Sequence, residues 1–378
     1  MTLAAPITSV CWRPWRIPLL EAVSTSAGGF TEREGLIVKI ETADGAIGLG
    51  ECSPLPAEGL TVISLAERMK QVGGALVGSV PCWAGVNRLL RRGMEGADVA
   101  IECAVGDLLS RSRGVPLNQW LADQQGLPAN GPTEIPANAL LSAKDPIAIA
   151  SEAQVAKQNS FDTVKVKVGH DVLLDYERLK AVREVLGPDV ELRIDANGAW
   201  TKEEALVALA SHKTHRIALC EQPVANGSDA AAGLAFVRSG STIPIAADES
   251  CASGRDLRSL LAADAVDAIV IKPLRTGMVE ALDIITEAVT HELPCILTTT
   301  LDTGVGTALA LHLATLLPPP RPACGVATLP LLYGDLVQGC PNPSRGSISL
   351  PAGPGLGVTL DEDALNHFAI GPWEGLSE

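Results

Sequence analysis

Five stations of ionisable residues recur through the middle of this chain: Lys165-Val166-Lys167, Asp195-Ala196-Asn197, Glu221-Gln222-Pro223, Asp248-Glu249-Ser250 and Lys272-Pro273. Each closes a short apolar run. From Lys167 onward the steps are 28, 26, 27 and 24 residues, about the length of one strand-plus-helix unit in an eightfold barrel. Parallel strands of such a barrel end at one face, so residues recurring at strand ends collect around one mouth. The rhythm therefore predicts three acids and two basic sites at a single opening.

Apolar runs predict strands over residues 135–141, 163–168, 191–194, 217–221, 243–247, 268–271, 295–299 and 325–329. Helical patterns such as 146–158, 175–186 and 202–210 alternate with them. The expected class is α/β, a (β/α)8-type, modified TIM barrel over residues 131–332 with an irregular last unit. Residues 1–130 read differently, as an α+β capping domain. A strand at 36–42, an Asp44-Gly45 turn and a return at 47–51 form a hairpin, followed by helices at 65–77 and 97–110. The opening segment reads as the first strand. The tail, 333–378, is expected to return to this module. The Gly-rich stretch Thr25-Ser26-Ala27-Gly28-Gly29-Phe30-Thr31 has little local reason to be rigid and is expected as a loop that covers the barrel mouth.

A formal net charge of −15 without any basic run argues against a nucleic-acid partner. No apolar stretch reaches the length of a membrane span. The first residues lack the apolar core of a signal peptide, and a cytoplasmic enzyme is expected. Nine scattered cysteines, with no CxxC pair and no close Cys/His cluster, indicate neither a zinc site nor a disulfide framework. Apolar helical faces leave room for an oligomer but specify none.

Asp195, Glu221 and Asp248 end three consecutive predicted strands. Hard carboxylate oxygens from adjacent strands suit Mg²⁺, with Mn²⁺ as a substitute, and leave positions for water and a small carboxylate substrate. Any one of them alone reads better as a helix cap; three in phase do not. Asn197 and Glu249 are expected to orient these ligands. Lys165 and Lys167 lie two apart on one strand and share a face. Mutual repulsion and desolvation are expected to leave one of them a neutral amine that acts as a base. Lys272 faces them across the mouth. Together these groups answer one chemical problem, the removal of a proton next to a carboxylate, where cations stabilise the enediolate that forms.

Arg193 shares the inward direction of Asp195, so it either balances the acids or holds a carboxylate or the base lysine. The hydroxyls of Thr299 and Thr300, with Asp302 and the N–H groups of the following helix start, either bind a substrate carboxylate or merely cap the helix. The six histidines show no ligand spacing and none is assigned to catalysis.

At these residues the chain resembles the enolase superfamily, in its muconate-lactonizing type, over almost its whole length. The likeness includes Gly48-Leu49-Gly50-Glu51-Cys52-Ser53-Pro54-Leu55-Pro56, Ile101-Glu102-Cys103-Ala104, the Lys-x-Lys strand, Asp248-Glu249-Ser250 and Gly353-Pro354-Gly355-Leu356-Gly357. Within it, Arg33-Glu34-Gly35, Arg193-Ile194-Asp195-Ala196-Asn197-Gly198-Ala199-Trp200 and the stretch 298–306 are most similar to the o-succinylbenzoate synthase family of menaquinone and phylloquinone biosynthesis. That resemblance implies a lyase. Lys167 would take the α-proton of 2-succinyl-6-hydroxy-2,4-cyclohexadiene-1-carboxylate and then assist departure of the hydroxyl on the same face. Asp195, Glu221 and Asp248 would hold Mg²⁺, Lys272 would stabilise the enediolate and Lys165 would tune Lys167. Two departures stand out: Thr replaces Ser at several positions of the seventh strand end, and Asp302 stands where that family has Glu.

Dipeptide epimerase, N-acylamino acid racemase and muconate cycloisomerase share the fold and the first half-reaction. A racemase needs bases on both faces, which Lys167 and Lys272 can supply. A Schiff-base aldolase built on Lys272 or Lys167 leaves the three acids unexplained. A non-catalytic barrel predicts no metal dependence.

Overall fold

The computed structural model describes residues 5–25, 28–90, 96–127 and 131–377. An antiparallel sheet is built from β1 (Ile7–Thr25), β2 (Gly28–Thr42) and β3 (Ile47–Cys52). Helices α1 (Val62–Leu76), α2 (Trp83–Leu90), α3 (Gly96–Ser112) and α4 (Leu117–Gln125) follow. Helix α3 is buried on every side from Ala97 to Ser110 because β3 packs against it on one side and helices of the barrel on another. That contact explains the Gly48-x-Gly50 spacing. A β-carbon at either position would collide with the carbonyl of Ala104 or Ala100. With β3 pressed on α3, the next residue, Glu51, is delivered to the barrel.

The Gly-rich stretch is not an isolated loop. Thr25 ends β1 and Gly28 opens β2, with the ladder running from Val23↔Phe30 to Thr25↔Gly28; Ser26 and Ala27 of the expected loop lie outside the described residues. The hairpin bends at a register shift between Pro18 and Val23. There Tyr333 N–H donates to the Pro18 carbonyl at 2.9 Å, which pins the hairpin against the far side of the barrel.

Short β4 (Glu134–Pro136) precedes the barrel strands. Then come β5 (Asn138–Leu141), α5 (Pro146–Gln158), β6 (Thr163–Lys167), α6 (Val172–Leu186), β7 (Glu191–Asp195), α7 (Lys202–His212) and β8 (Ile217–Glu221). The series continues with α8 (Ala230–Gly240), β9 (Ile245–Ala247), α9 (Gly254–Ala262), β10 (Ala268–Ile271), α10 (Pro273–Thr276), α11 (Met278–Thr290), β11 (Cys295–Leu297) and α12 (Gly304–Ala314). The strands form one curled parallel sheet in the order β11-β10-β9-β8-β7-β6-β5. Asp145, Asp171, Thr201 and Ser253 cap the starts of α5, α6, α7 and α9 with their side chains, which sets where each strand hands over to its helix.

The eighth strand expected at 325–329 is reduced to two residues. Asn138 N–H donates to Cys324 O at 2.9 Å and Gly325 N–H donates to Leu297 O at 2.8 Å, linking the first and last strands of the sheet. Gly325 lies so close to Thr298 that a β-carbon would strike its hydroxyl. The chain then turns into a short 3-10 helix, Leu329–Leu331, instead of extending.

In the tail, β12 (Val337–Gln338) pairs with β14 (Thr359–Leu360) and β13 (Ser347–Ser349) pairs with β4, while α13 (Glu362–Phe368) and β15 (Glu374–Ser377) pack on β1 of the N-terminal module. Strand β15 pairs with β1 from Ser9↔Ser377 to Trp12↔Glu374. Asp107 of α3 accepts from Leu49 N–H and Leu356 N–H, at 2.9 and 2.7 Å. It thereby joins β3 and the Gly-Pro-Gly-Leu-Gly segment to one carboxylate. All nine cysteines are free, and six of them are buried. Among the described residues no helix is long and apolar enough to cross a membrane.

His312 of α12 is fully buried, and burial lowers its pKa to about 4 against a weaker opposing pull from the Leu356 backbone. The unfolded chain therefore takes up this proton first as the pH falls below about 6.5. The stability that the neutral ring contributes is present above that pH and is lost between it and about 4. Relative to His312→Gln, the wild type should lose about 2 kcal/mol between pH 7 and pH 5. Denaturant titrations of both proteins at the two pH values measure that difference, and parallel pH profiles would refute it.

Candidate active site

The residues two before Glu221, Asp248 and Lys272 form an inner apolar cluster: Leu219, Ala246 and Val270, with Ala268 and Ile296. Period-two alternation then points Glu221, Asp248 and Lys272 in the same direction, one layer nearer the mouth. Asp195, Glu221 and Asp248 are buried, and each offers an oxygen within 4.8 Å of the others. Lys165 Nζ lies 3.1 Å from Asp195 Oδ2 and 2.9 Å from Glu221 Oε1. Lys167 Nζ donates to Asp195 Oδ2 at 2.6 Å and to Asn197 Oδ1 at 2.7 Å. Lys272 donates to Asp248 and stands 4.0 Å from Glu249 Oε1. Lys167 and Lys272 end strands four places apart in the curled sheet, so they face each other across the mouth with the acids between.

Burial pulls the Lys165 ammonium down, but Glu221, Asp195 and Asp248 outweigh it and hold its pKa above the ordinary lysine value. Lys272 is raised in the same sense, with Asp248 and Glu249 opposing its desolvation. The neutral amine expected from lysine–lysine repulsion is thus not found at Lys165, because carboxylates rather than its neighbouring lysine are its contacts. Its direct partners are acids, so its effect on Lys167 passes through their shared Asp195. Desolvation, with Asp195 as the next cause, pushes Glu221 up to about 8. Burial opposes ionisation of Asp195 as well, yet Lys167 and Lys165 hold it below the usual carboxylate range. Glu221 thus resists ionisation unaided. A hard divalent cation relieves that cost, and the donor set fits Mg²⁺.

Gln222 is a site residue that the sequence reading passed over, although it sits inside one of the five stations. It is fully buried with φ +39. Its Oε1 accepts from Asp248 N–H at 2.9 Å and Ser250 N–H at 3.2 Å, while Nε2 donates to Ser250 Oγ at 2.7 Å. One amide thus fixes the strand end that carries Asp248 relative to the one that carries Glu221. Asn197, also left-handed at φ +44, donates from its backbone to Asp195 Oδ1 at 3.0 Å and from Nδ2 to Glu249 Oε1 at 3.2 Å. Gln222→Ala should weaken Mg²⁺ binding by about 10- to 100-fold, as loss of a ligand-orienting partner does elsewhere. Melting temperatures titrated with Mg²⁺ read the affinity without any substrate. An unchanged midpoint would mean that Gln222 does not orient Asp248.

Other expected residues lie elsewhere. Arg193 does not touch the acids; it pairs with Glu191 at 2.6 Å and donates to the Ala323 carbonyl at 2.8 Å. It is directed at the barrel closure, although Lys165, beside it in register, reaches the acids. Thr299 and Thr300 do line the cavity. Their hydroxyls are already engaged, Thr299 with Gly325 O and Thr328 Oγ1, Thr300 with Asp302 Oδ1 at 2.6 Å. Asp302 itself is buried behind this wall, and desolvation, with Glu51 as the next cause, raises it to about 7. The start of α12 offers no open anion site. Glu51 accepts from Thr303 N–H, Thr303 Oγ1 and Gly306 N–H at 3.1, 2.5 and 2.9 Å. Asp335 takes Gly304 N–H at 2.7 Å, and Thr303 Oγ1 takes Val305 N–H at 3.3 Å. Capping, by an acid from the N-terminal module, is the reading the structure supports.

The three lysines, with Asp195, Glu221 and Glu249, open into a cavity of about 650 Å³. Its roof comes from the N-terminal module: Val23, Gly29 and Phe30 of the β1–β2 hairpin, with Leu55, Pro56 and Glu58 after β3. The hairpin thus occupies the place expected of a lid. Arg33, buried behind it, donates to the carbonyls of Ser53, Pro54 and Leu301 and so ties the roof to the seventh strand end.

Comparison with known proteins agrees with this architecture. Residues 148–364 match the family model described as Enolase C-terminal domain-like. Residues 8–122 match the N-terminal domain of mandelate racemase / muconate lactonizing enzyme. The D-Ala-D/L-Ala epimerase of Cytophaga hutchinsonii is 31% identical over 93% of this chain and 95% of its own. A crystal structure of a dipeptide epimerase from that organism, complexed with Mg and D-Ala-L-Val, superposes with a TM-score of 0.89 over 98% of this chain and 100% of that one, at 29% identity. The N-succinyl Arg/Lys racemase of Bacillus cereus gives 0.89 at 26% identity, again over 98% and 100%. The o-succinylbenzoate synthase of Thermobifida fusca is 35% identical over 66% of this chain and 76% of its own. The family models, the curled barrel and the capping module agree: the chain belongs to the enolase superfamily, in its muconate-lactonizing branch.

Proposed function

We propose that this protein is a racemase or epimerase of amino-acid derivatives with a free carboxylate. It would invert the carbon next to that carboxylate by removing and returning one proton. The observation that carries this reading is the placement of Lys167 and Lys272 on opposite sides of the mouth, with the acid trio between them. One lysine, as the free amine, takes the α-proton, and the C–H electron pair moves into the carboxylate to give an enediolate. The other, as the ammonium, delivers a proton to the opposite face. No atom is lost, and the two lysines exchange protonation states. Asp195, Glu221 and Asp248 would hold a Mg²⁺ ion, which when bound supplies positive charge for the carboxylate oxygens. Lys165 holds Asp195 and Glu221 together, and Asn197 fixes the Lys167 ammonium relative to Asp195.

The epimerase and racemase relatives, matched over nearly the whole chain, support this reading ahead of the dehydratase expected from the seventh-strand motifs. The synthase remains the second reading because its Thermobifida relative has the higher identity over a shorter span. Only the first requires two bases. Incubation in D2O with Mg²⁺ separates them. Appearance of the mirror-image or epimeric product carrying α-deuterium supports the racemase. Conversion of the hydroxycyclohexadiene acid to o-succinylbenzoate, without deuterium exchange into any amino-acid derivative, sinks it.

A further inference from the structure

We propose that the substrate is an N-acyl amino acid with an uncharged side chain, not a dipeptide with a free N-terminus. This rests on the racemase reading and narrows its substrate. Away from the lysine–acid cluster, the charged side chains that line the cavity among the described residues are Glu58 and Arg275. They neutralise each other, with Arg275 Nε 2.7 Å from Glu58 Oε1. The rest of that space is apolar or neutral: Val23, Phe30, Leu55 and Leu140, with Asn138 and Asn226 among the amides.

A substrate whose carboxylate meets the cation that the acid trio would hold has its reacting carbon between Lys167 and Lys272. Both its side chain and its nitrogen substituent must then enter the neutral part of the cavity. A terminal ammonium placed there would give up water for no opposing charge, and so would an arginine or glutamate side chain. An acyl group needs only amide hydrogen bonds. Glu249 lines the cavity, and its Oε2 is buried without a hydrogen-bond partner. Its other oxygen faces Asn197 at 3.2 Å and Lys272 at 4.0 Å, within the shell of the reacting carbon. The substrate nitrogen bonded to that carbon is an amide in both substrate classes. An acceptor there suits an amide N–H and does not require an ammonium.

The test is α-deuterium exchange followed by NMR, using wild-type protein with Mg²⁺. The probes are N-acetyl-L-methionine, N-acetyl-L-phenylalanine, L-Ala-L-Phe, N-acetyl-L-arginine and N-acetyl-L-glutamate. The better of the two neutral N-acetyl substrates should exceed each of the other three by at least about tenfold in kcat/KM. Glu58→Gln, which releases Arg275, should raise the ratio of N-acetyl-L-glutamate to N-acetyl-L-phenylalanine by about fivefold or more. Faster exchange of L-Ala-L-Phe would overturn the inference and assign Glu249 to the ammonium. Preference for the arginine or glutamate derivative, or a ratio unmoved by Glu58→Gln, would overturn it too. Those results leave the racemase reading standing. Exchange of no probe, by protein whose melting temperature still rises with Mg²⁺, would overturn the racemase reading and this inference with it.

Discussion

Lys167→Ala and Lys272→Ala should each lower the rate of inversion by about 1,000-fold, within the range for loss of a general acid or base. Each variant should still exchange the α-proton of one antipode. With Lys272 gone, Lys167 can remove a proton from its own face and return deuterium to the same face. With Lys167 gone, Lys272 does so for the mirror image. The two variants are therefore expected to label opposite enantiomers without interconverting them. Polarimetry and NMR in D2O check both statements. If both variants label the same enantiomer, the lysines do not flank the reacting carbon and the racemase reading falls. The change also has a structural side. Lys167 is one of two ammonium groups on Asp195, so its removal should tighten or leave unchanged, rather than abolish, the response of melting temperature to Mg²⁺.

Glu51→Ala should destabilise the protein by about 4 kcal/mol, among the larger single-site effects a buried polar substitution produces. The carboxylate is inaccessible to solvent and accepts from four donors: Thr303 N, Thr303 Oγ1, Gly306 N and Ser53 Oγ. Truncation leaves all four without that acceptor where no water reaches. Because Glu51 belongs to β3 and the other groups mostly to the start of α12, the loss falls on the junction between the capping module and the barrel. Loop 298–303, which forms one wall of the cavity, should lose its seat, and kcat should fall with stability. Urea unfolding of the wild type and Glu51→Ala measures the first effect. A loss under about 1 kcal/mol would show that another group replaces the acceptor.

The barrel and its five stations were legible because the requirements are local and repeated. A strand end needs an apolar run, and a functional residue must sit in phase with it. Lys165, Lys167, Asp195, Glu221, Asp248 and Lys272 obeyed that rule, and the structure brings all six together. Arg193 met the same pattern of alternation yet is engaged by Glu191 and the Ala323 carbonyl, since alternation gives the face of a strand and not the partner its side chain finds. Asp302 and the start of α12 were misread for another reason. Their partners, Glu51, Arg33 and Asp335, come from segments 31 to more than 250 residues away. Gln222 was overlooked because an amide holding two backbone N–H groups leaves no periodic signature.

By itself, the sequence determined the barrel, the acid trio and the lysines on two sides of it, because each follows from spacing along one strand series, and its motifs carried the resemblance to the superfamily. Tertiary structure decided which motif residues face the cavity, that Glu51 closes the helix start to anions, and that Glu58 and Arg275 cancel each other in the pocket. Those are pairings between distant segments, and only the packing of cap on barrel brings their charges within a few ångströms.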